Sequence, residues 1–262
     1  MALEWPPLWG VGLRFVIALP ILLLICRWRG AALPARGVRG RLALVGLFGT
    51  GGYLGLTWLA SAHLASGLVA LVAATAPLFV ALGQRLLGQK MTRTAWLGLG
   101  LGWLGVAVLA LSREASPTPG TELYGLALGL LGALSQAIGL LAFAPARGRV
   151  DPWAANAVQT SVAAALLIGL AALQGPPPTS ASPALVAAMA YSIVPVGVLA
   201  YALYFVVLER FGAARAAALQ LLAPGVAVVI GWAMLGERLG PGEALGGAIT
   251  LAGLWLMFRA PR

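Results

Sequence analysis

Apolar residues run in nine long blocks, and polar residues gather in the gaps between them. The blocks cover approximately 8–26, 42–62, 65–87, 95–112, 123–143, 153–173, 184–208, 213–235 and 243–258. Each is close to the roughly 20 residues that a helix needs to cross a bilayer. The connections are short, and many carry Gly or Pro: Gly30 to Gly40, Pro117 to Gly120, Gly175 to Pro183, Gly236 to Gly242. None has room for a soluble domain. The pattern predicts an all-α polytopic membrane protein with nine transmembrane helices. The first block starts almost at Met1, has no positive leader and is followed by its charges, so it reads as a mature helix and not as a cleaved signal peptide.

Composition makes the membrane class nearly obligatory. The chain is 61% hydrophobic and 9% charged, where a soluble domain carries about 25% charged residues. Cys26 is the one cysteine, so an intrachain disulfide is excluded. A single histidine argues against a His-based metal centre, and no cofactor is expected. A net charge of +10 would suit nucleic acid. The positive residues lie between apolar blocks, however, not on one basic face, so no nucleic-acid partner is expected.

The same charges set an orientation. With the N-terminus outside and the C-terminus cytoplasmic, the inner side holds Arg27, Arg29, Arg36, Arg39, Arg41, Arg85, Lys90, Arg93, Arg147, Arg149, Arg210, Arg215, Arg259 and Arg262. The outer side holds only Arg14, Arg113 and Arg238. The reverse orientation inverts that ratio.

The third and eighth blocks share a pattern. One reads Leu71-Val72-Ala73-Ala74-Thr75-Ala76-Pro77 and continues to Leu87-Gly88-Gln89-Lys90. The other reads Leu219-Gln220-Leu221-Leu222-Ala223-Pro224 and continues to Leu235-Gly236-Glu237-Arg238. The prolines are 147 residues apart (224 − 77) and the glycines 148 (236 − 88). Pro7 with Arg14 matches Pro152 with Gln159 at an offset of 145. Spans one to four therefore pair with spans six to nine. Partners five spans apart cross the membrane in opposite directions, which predicts an inverted repeat. Residues 1–115 form one half with four helices, and 116–262 the other with five. The fifth span has no partner, because the five-helix repeat lacks its first helix here. Either the true start lies upstream or this version is shortened.

On these residues the chain resembles the drug/metabolite transporter superfamily, EamA-type permeases. The resemblance rests on Pro7 to Arg14, Tyr53 to Trp58, Ala76-Pro77-Leu78-Phe79, Leu87-Gly88-Gln89-Lys90 with Gly98 to Gly105, and on Tyr201 to Phe205, Ala223-Pro224 and Leu235-Gly236-Glu237-Arg238-Leu239 with Gly246 and Gly247. It covers essentially the whole chain. Two departures stand out: Gln89 replaces the family's usual Glu, which only Glu237 keeps, and the family's first helix, which helps line the cavity, is absent. The resemblance implies that the fifth span lines a substrate cavity and that the solute is a small organic metabolite, whether an amino acid, a derivative of one or another metabolite, moved mostly outward.

Several polar residues inside the blocks are candidates for that cavity. Pro77 and Pro224 each remove a backbone hydrogen bond in mid-helix, making either a packing kink or a hinge beside a cavity. Thr75 stands two residues before the first proline. Gln220 lies one turn before the second, and Gln136 sits on the fifth span beside Ser135. Each glutamine is either a cavity ligand or an interhelical bond, because a buried amide needs a partner. Tyr53 with Thr57 and Tyr201 with Tyr204 share helical faces, and line a cavity or anchor at an interface. Glu209 ends the seventh span, as a coupling carboxylate or a boundary residue. Arg14 either snorkels to the outer surface or attracts an anionic group there. Asn156 and Gln159 read as interhelical bonds, and His63 as an interface residue. Gly98-x-x-x-Gly102 and Gly242-x-x-x-Gly246 let helices approach closely, at a contact between the halves or in a homodimer.

Three function classes follow. The first is a secondary transporter working by alternating access, with the lipid bilayer and a small-molecule substrate as partners. The second is a non-transporting membrane protein or a shortened, inactive permease. The third, an intramembrane enzyme, would need a nucleophile with a base, a carboxylate pair or a metal cluster in the bilayer, and the blocks supply none. No G-x-x-x-x-G-K-[ST] loop is present, so ATP is not the direct driver. One lysine beside sixteen arginines, with abundant Ala and Gly, suggests a GC-rich bacterial gene and hence a cytoplasmic membrane.

Overall fold

A computed structural model of the chain describes residues 5–32, 34–90, 92–112, 120–146, 148–200 and 240–259, together with 203, 230, 233 and 236. Its helices are α1 (Pro7–Arg29), α2 (Arg36–Ala60), α3 (Ser66–Ala73 and Ala76–Leu86), α4 (Arg93–Ser112), α5 (Glu122–Phe143), α6 (Pro152–Gln174), α7 (Pro183–Ala200) and α8 (Pro241–Arg259). All the described elements are helical. Six of them are long and apolar enough to cross a membrane: α1, α2, α3, α5, α6 and α7. The eighth predicted span, 213–235, lies outside the described residues except for 230 and 233, so α8 corresponds to the ninth.

Helix boundaries follow local chemistry. Pro7, Pro152 and Pro183 each open a helix, where the missing N–H has no intrahelical partner to lose. Asp151 caps α6, its Oδ1 accepting from the N–H groups of Trp153 (2.9 Å) and Ala154 (3.1 Å). Ser182 caps α7 by accepting from Leu185 N–H at 3.1 Å. Gly30, at φ 63°, ends α1 in the left-handed conformation just after Arg27 and Arg29. Helix α2 begins at Arg36, earlier than its apolar block, because Arg39 Nε donates to Pro34 O (2.7 Å) and ties the basic first turn to the preceding loop.

Two helices depart from the α form. In α2 the stretch Val45–Gly52 is π-helical, and in α7 so is Ser192–Ala200, which contains Pro195. Helix α3 breaks where Pro77 predicts. It stops at Ala73 and restarts at Ala76, with tight bonds from Thr75 N–H to Val72 O (3.0 Å) and from Leu78 N–H to Thr75 O (2.8 Å).

The chain divides into two compact units. The first comprises Met1–Trp58 and Ile138–Gly212, and the second Leu59–Ala137 and Ala213–Arg262. In the first, α1 lies along α6, α6 meets the π segment of α2, and α1 meets the π segment of α7. Its apolar core includes Ala18, Leu185, Met189 and Ile193, with a second cluster of Leu22, Ala157 and Val198. Trp5 and Trp9 donate from Nε1 to Ser180 O (2.7 Å) and Gly175 O (3.3 Å), fastening the start of α1 to the α6–α7 loop.

In the second unit α4 and α8 lie against one another. A Cβ on Gly98 would stand 2.6 Å from both Gly253 O and Met257 N, and one on Gly105 would stand 2.6 Å from Gly246 O. The glycine face of α4 thus meets α8 inside the chain, within the second unit. On α8 the residues met include Gly246, Thr250, Gly253 and Met257. Leu78, Leu99, Val106 and Leu254 fill the space beside this seam, and Leu64, Leu68, Leu71, Val72 and Leu126 form a second cluster. Leu24, Leu97 and Leu173 are among many large apolar side chains that face outward, as a lipid-exposed surface requires.

Candidate functional site

The first unit contains a row of buried polar side chains. Asn156, Gln159 and Thr160 lie three and four residues apart on α6, so they share one face. They are 1%, 3% and 2% exposed. Polar groups at such burial need partners, and each has one. Gln159 Nε2 donates to Asn156 Oδ1 at 3.0 Å, and the Thr160 hydroxyl donates to the same oxygen at 3.3 Å. Across the helix boundary, the Thr50 hydroxyl in the α2 π segment donates to Gln159 Oε1 at 3.3 Å. Asn156 Nδ2 donates to Gly197 O in the α7 π segment, also at 3.3 Å. Asn156 and Gln159 are thus interhelical bonds, as the sequence reading expects.

Small residues let α2 come this close. A Cβ on Gly46 would lie 2.7 Å from Gln159 O, and one on Gly51 would lie 3.0 Å from Leu166 Cδ2. The two glycines are five residues apart, and a π turn, which bonds i to i+5, brings that spacing round to one face. The π form and the glycines therefore serve the same contact with α6.

Arg14 is 6% exposed, so it does not snorkel. It is the eighth residue of α1, about 10 Å along the axis from Pro7 at 1.5 Å per residue. Its guanidinium carbon lies 4.7 Å from the Phe15 ring centroid and 5.9 Å from that of Trp58, within the range of cation–π attraction. Trp58 rests on Gly10, one turn earlier on α1, where a Cβ would approach its ring to 3.1 Å. Burial of Arg14 depends on Trp58 arriving from a distant segment, which neither segment's pattern contains.

The predicted cavity residues fall in different places. Tyr53 and Thr57 are half-buried in the first unit, one turn apart, and the Thr57 hydroxyl donates to Tyr53 O at 2.7 Å. Thr75, Pro77 and Gln136 belong to the second unit. Thr75 is fully buried and donates from Oγ1 to Val72 O (2.7 Å) inside the helix break. Pro77 and Gln136 are half-buried. Tyr201, Tyr204, Glu209, Gln220 and Pro224 lie outside the described residues. His63 pairs through Nδ1 with Thr121 Oγ1 (2.9 Å) and meets Tyr124 edge-on, which joins the loop after α2 to the start of α5. Among the described residues, no group of three or more His, Cys, Asp or Glu side chains is placed to hold a metal ion.

Comparison with known proteins gives this architecture a family. Residues 1–111 and 123–259 match the EamA-like transporter family. The uncharacterized inner membrane transporter YedA of Escherichia coli K12 is 29% identical over 261 residues, covering 95% of this chain and 81% of YedA. Its counterparts in Escherichia coli O6:H1 and O157:H7 match equally. A crystal structure with 21% sequence identity aligns with a TM-score of 0.66, covering 96% of this chain and 87% of the other, and so shares its fold. A match that takes in both halves, on a helical frame with membrane-length spans, decides the family: this chain is a member of the EamA-like transporter family and the drug/metabolite transporter superfamily.

Proposed function

We propose that the chain is a secondary permease that exports a small organic metabolite, an amino acid or a derivative of one, by alternating access. Family membership supports the permease, and Arg14 supports the solute class. A charge held within a membrane-length helix costs about 2.5–3.5 kcal/mol on insertion scales and marks solute pathways or functional pairs. A guanidinium against aromatic rings suits a carboxylate attached to an apolar body. Arg14 binds that carboxylate, and Tyr53 and Thr57 line the path beside it. Thr75, Pro77, Gln136, Tyr201, Tyr204, Gln220 and Pro224 are the further residues of our proposal, each to be tested by substitution. Glu209 is the group that couples export to protons.

The working unit is two inverted halves, residues 1–115 and 116–262, in the cytoplasmic membrane, with the N-terminus outside and the C-terminus inside. The 147-residue spacing of Pro77 and Pro224 supports the halves, and the excess of arginine in the inner loops supports the orientation.

Counterflow in proteoliposomes tests the reading. Purified full-length protein, loaded with each of the common amino acids in turn, takes up its radiolabelled form in exchange. Arg14→Gln abolishes that exchange, and Glu209→Gln leaves exchange but removes its dependence on a pH gradient. Liposomes that behave like protein-free vesicles with every amino acid would overturn the amino-acid reading.

A further inference from the structure

The two π segments lie at matching places in the chain. Val45 and Ser192, where they begin, are 147 residues apart (192 − 45). Pro77 and Pro224 have the same spacing. Well under 1% of residues in proteins are π-helical, so two such segments at the repeat spacing are a feature of the design, not an accident of packing.

The polar row on α6 connects them. Its hydrogen bonds form one chain with all donors pointing the same way. The Thr50 hydroxyl donates to Gln159 Oε1, Gln159 Nε2 to Asn156 Oδ1, and Asn156 Nδ2 to Gly197 O. Thr50 belongs to the first π segment and Gly197 to the second. Bonds aligned in this sense polarise one another in a low-dielectric surround, so loss at one end weakens the rest. A π turn becomes an α turn when its i→i+5 bonds shift to i→i+4, which changes the register of everything beyond it.

From this arrangement we infer that Asn156 and Gln159 are positioning residues that couple the two π segments, so that α2 and α7 change register together during transport. This rests on the alternating-access reading. Neither residue needs to touch the solute. The amide pair transmits a change at Thr50 to the Gly197 carbonyl, and the reverse. Two independent packing contacts would make the same bonds without any transmission between segments.

Hydrogen exchange separates these cases, read on peptides covering 45–52 and 192–200 of the full chain in lipid nanodiscs. Asn156→Leu speeds exchange about three- to tenfold in both segments, the scale expected for loss of one interhelical hydrogen bond in a membrane protein. That includes 45–52, where Asn156 makes no direct bond. Thr50→Val, nearly isosteric and safe for folding, speeds exchange in 192–200 by a similar factor. Faster exchange confined to the segment that each variant touches would overturn the coupling. Counterflow runs alongside as a separate arm. Absence of flux in the wild-type protein would count against the permease, and the exchange result would still decide the coupling.

Discussion

Each unit contains a pair of long helices lying against one another, and the two pairs differ in the side chains between them. In the first, α1 and α6 carry spans one and six; in the second, α4 and α8 carry spans four and nine. The first unit places three polar side chains of α6 in its core and meets π segments on either side. The second brings glycine backbones together and fills the remaining space with leucine and valine. Hydrogen bonds can be exchanged as helices shift, whereas close backbone packing tolerates almost no displacement. Removing a hydrogen bond and adding a side-chain carbon should therefore damage the two cores to different degrees.

The largest effect is expected at the glycine seam. Gly98→Val would put a Cβ within 2.6 Å of two backbone atoms on α8, and backbone cannot give way as a side-chain tip does. Overpacking typically costs about 1–3 kcal/mol, and this contact is at the severe end, so the variant should be lost from the monodisperse peak in size-exclusion chromatography. Gly100→Val is the matched control, because a Cβ there meets nothing within 4 Å. If both variants behave alike, the seam is not what holds the second unit.

A smaller loss is expected in the first unit. Asn156→Leu fills the same space but leaves Gln159 Nε2, the Thr160 hydroxyl and Gly197 O each without a bond they now make. Unsatisfied buried groups cost about 1–3 kcal/mol, so the melting temperature in detergent should fall by several degrees with the protein still folded. A melting temperature equal to that of the wild type would mean that the polar row contributes no stability, and the contrast between the units would lose its basis.

Legibility in the sequence follows the same division. Features fixed by a residue's own backbone chemistry could be read directly. The break at Pro77, the helix starts at Pro7, Pro152 and Pro183, and the close approach of Gly98 and Gly102 need only one segment each. Asn156 and Gln159 were legible as interhelical bonds, because an amide in an apolar block must find a partner. Which partners they find was not legible, since Thr50 and Gly197 lie 109 and 41 residues away along the chain. The π segments left no signal, because glycines at positions 46 and 51 fit no helical period that assumes α geometry throughout. Burial of Arg14 depends on Trp58, and its alternatives could be separated only in three dimensions.

The smallest effect discriminates most finely, because it compares two hydroxyls bonded alike in their own helices, one on the proposed solute path and one off it. The Thr57 hydroxyl bonds back to Tyr53 O in its own helix, and the Ser161 hydroxyl likewise to Val158 O. Such back-bonds add little to stability, so Thr57→Val and Ser161→Ala should each leave the unfolding free energy within about 0.5 kcal/mol of wild type. Their effects on transport should differ. Thr57 is half-buried beside Tyr53 and Trp58, on the proposed solute path, so Thr57→Val raises the KM for exchange at unchanged stability. Ser161→Ala leaves both unchanged. A melting temperature lowered by several degrees in Thr57→Val would instead give that hydroxyl a packing role, and the solute path would have to run along another face of α2.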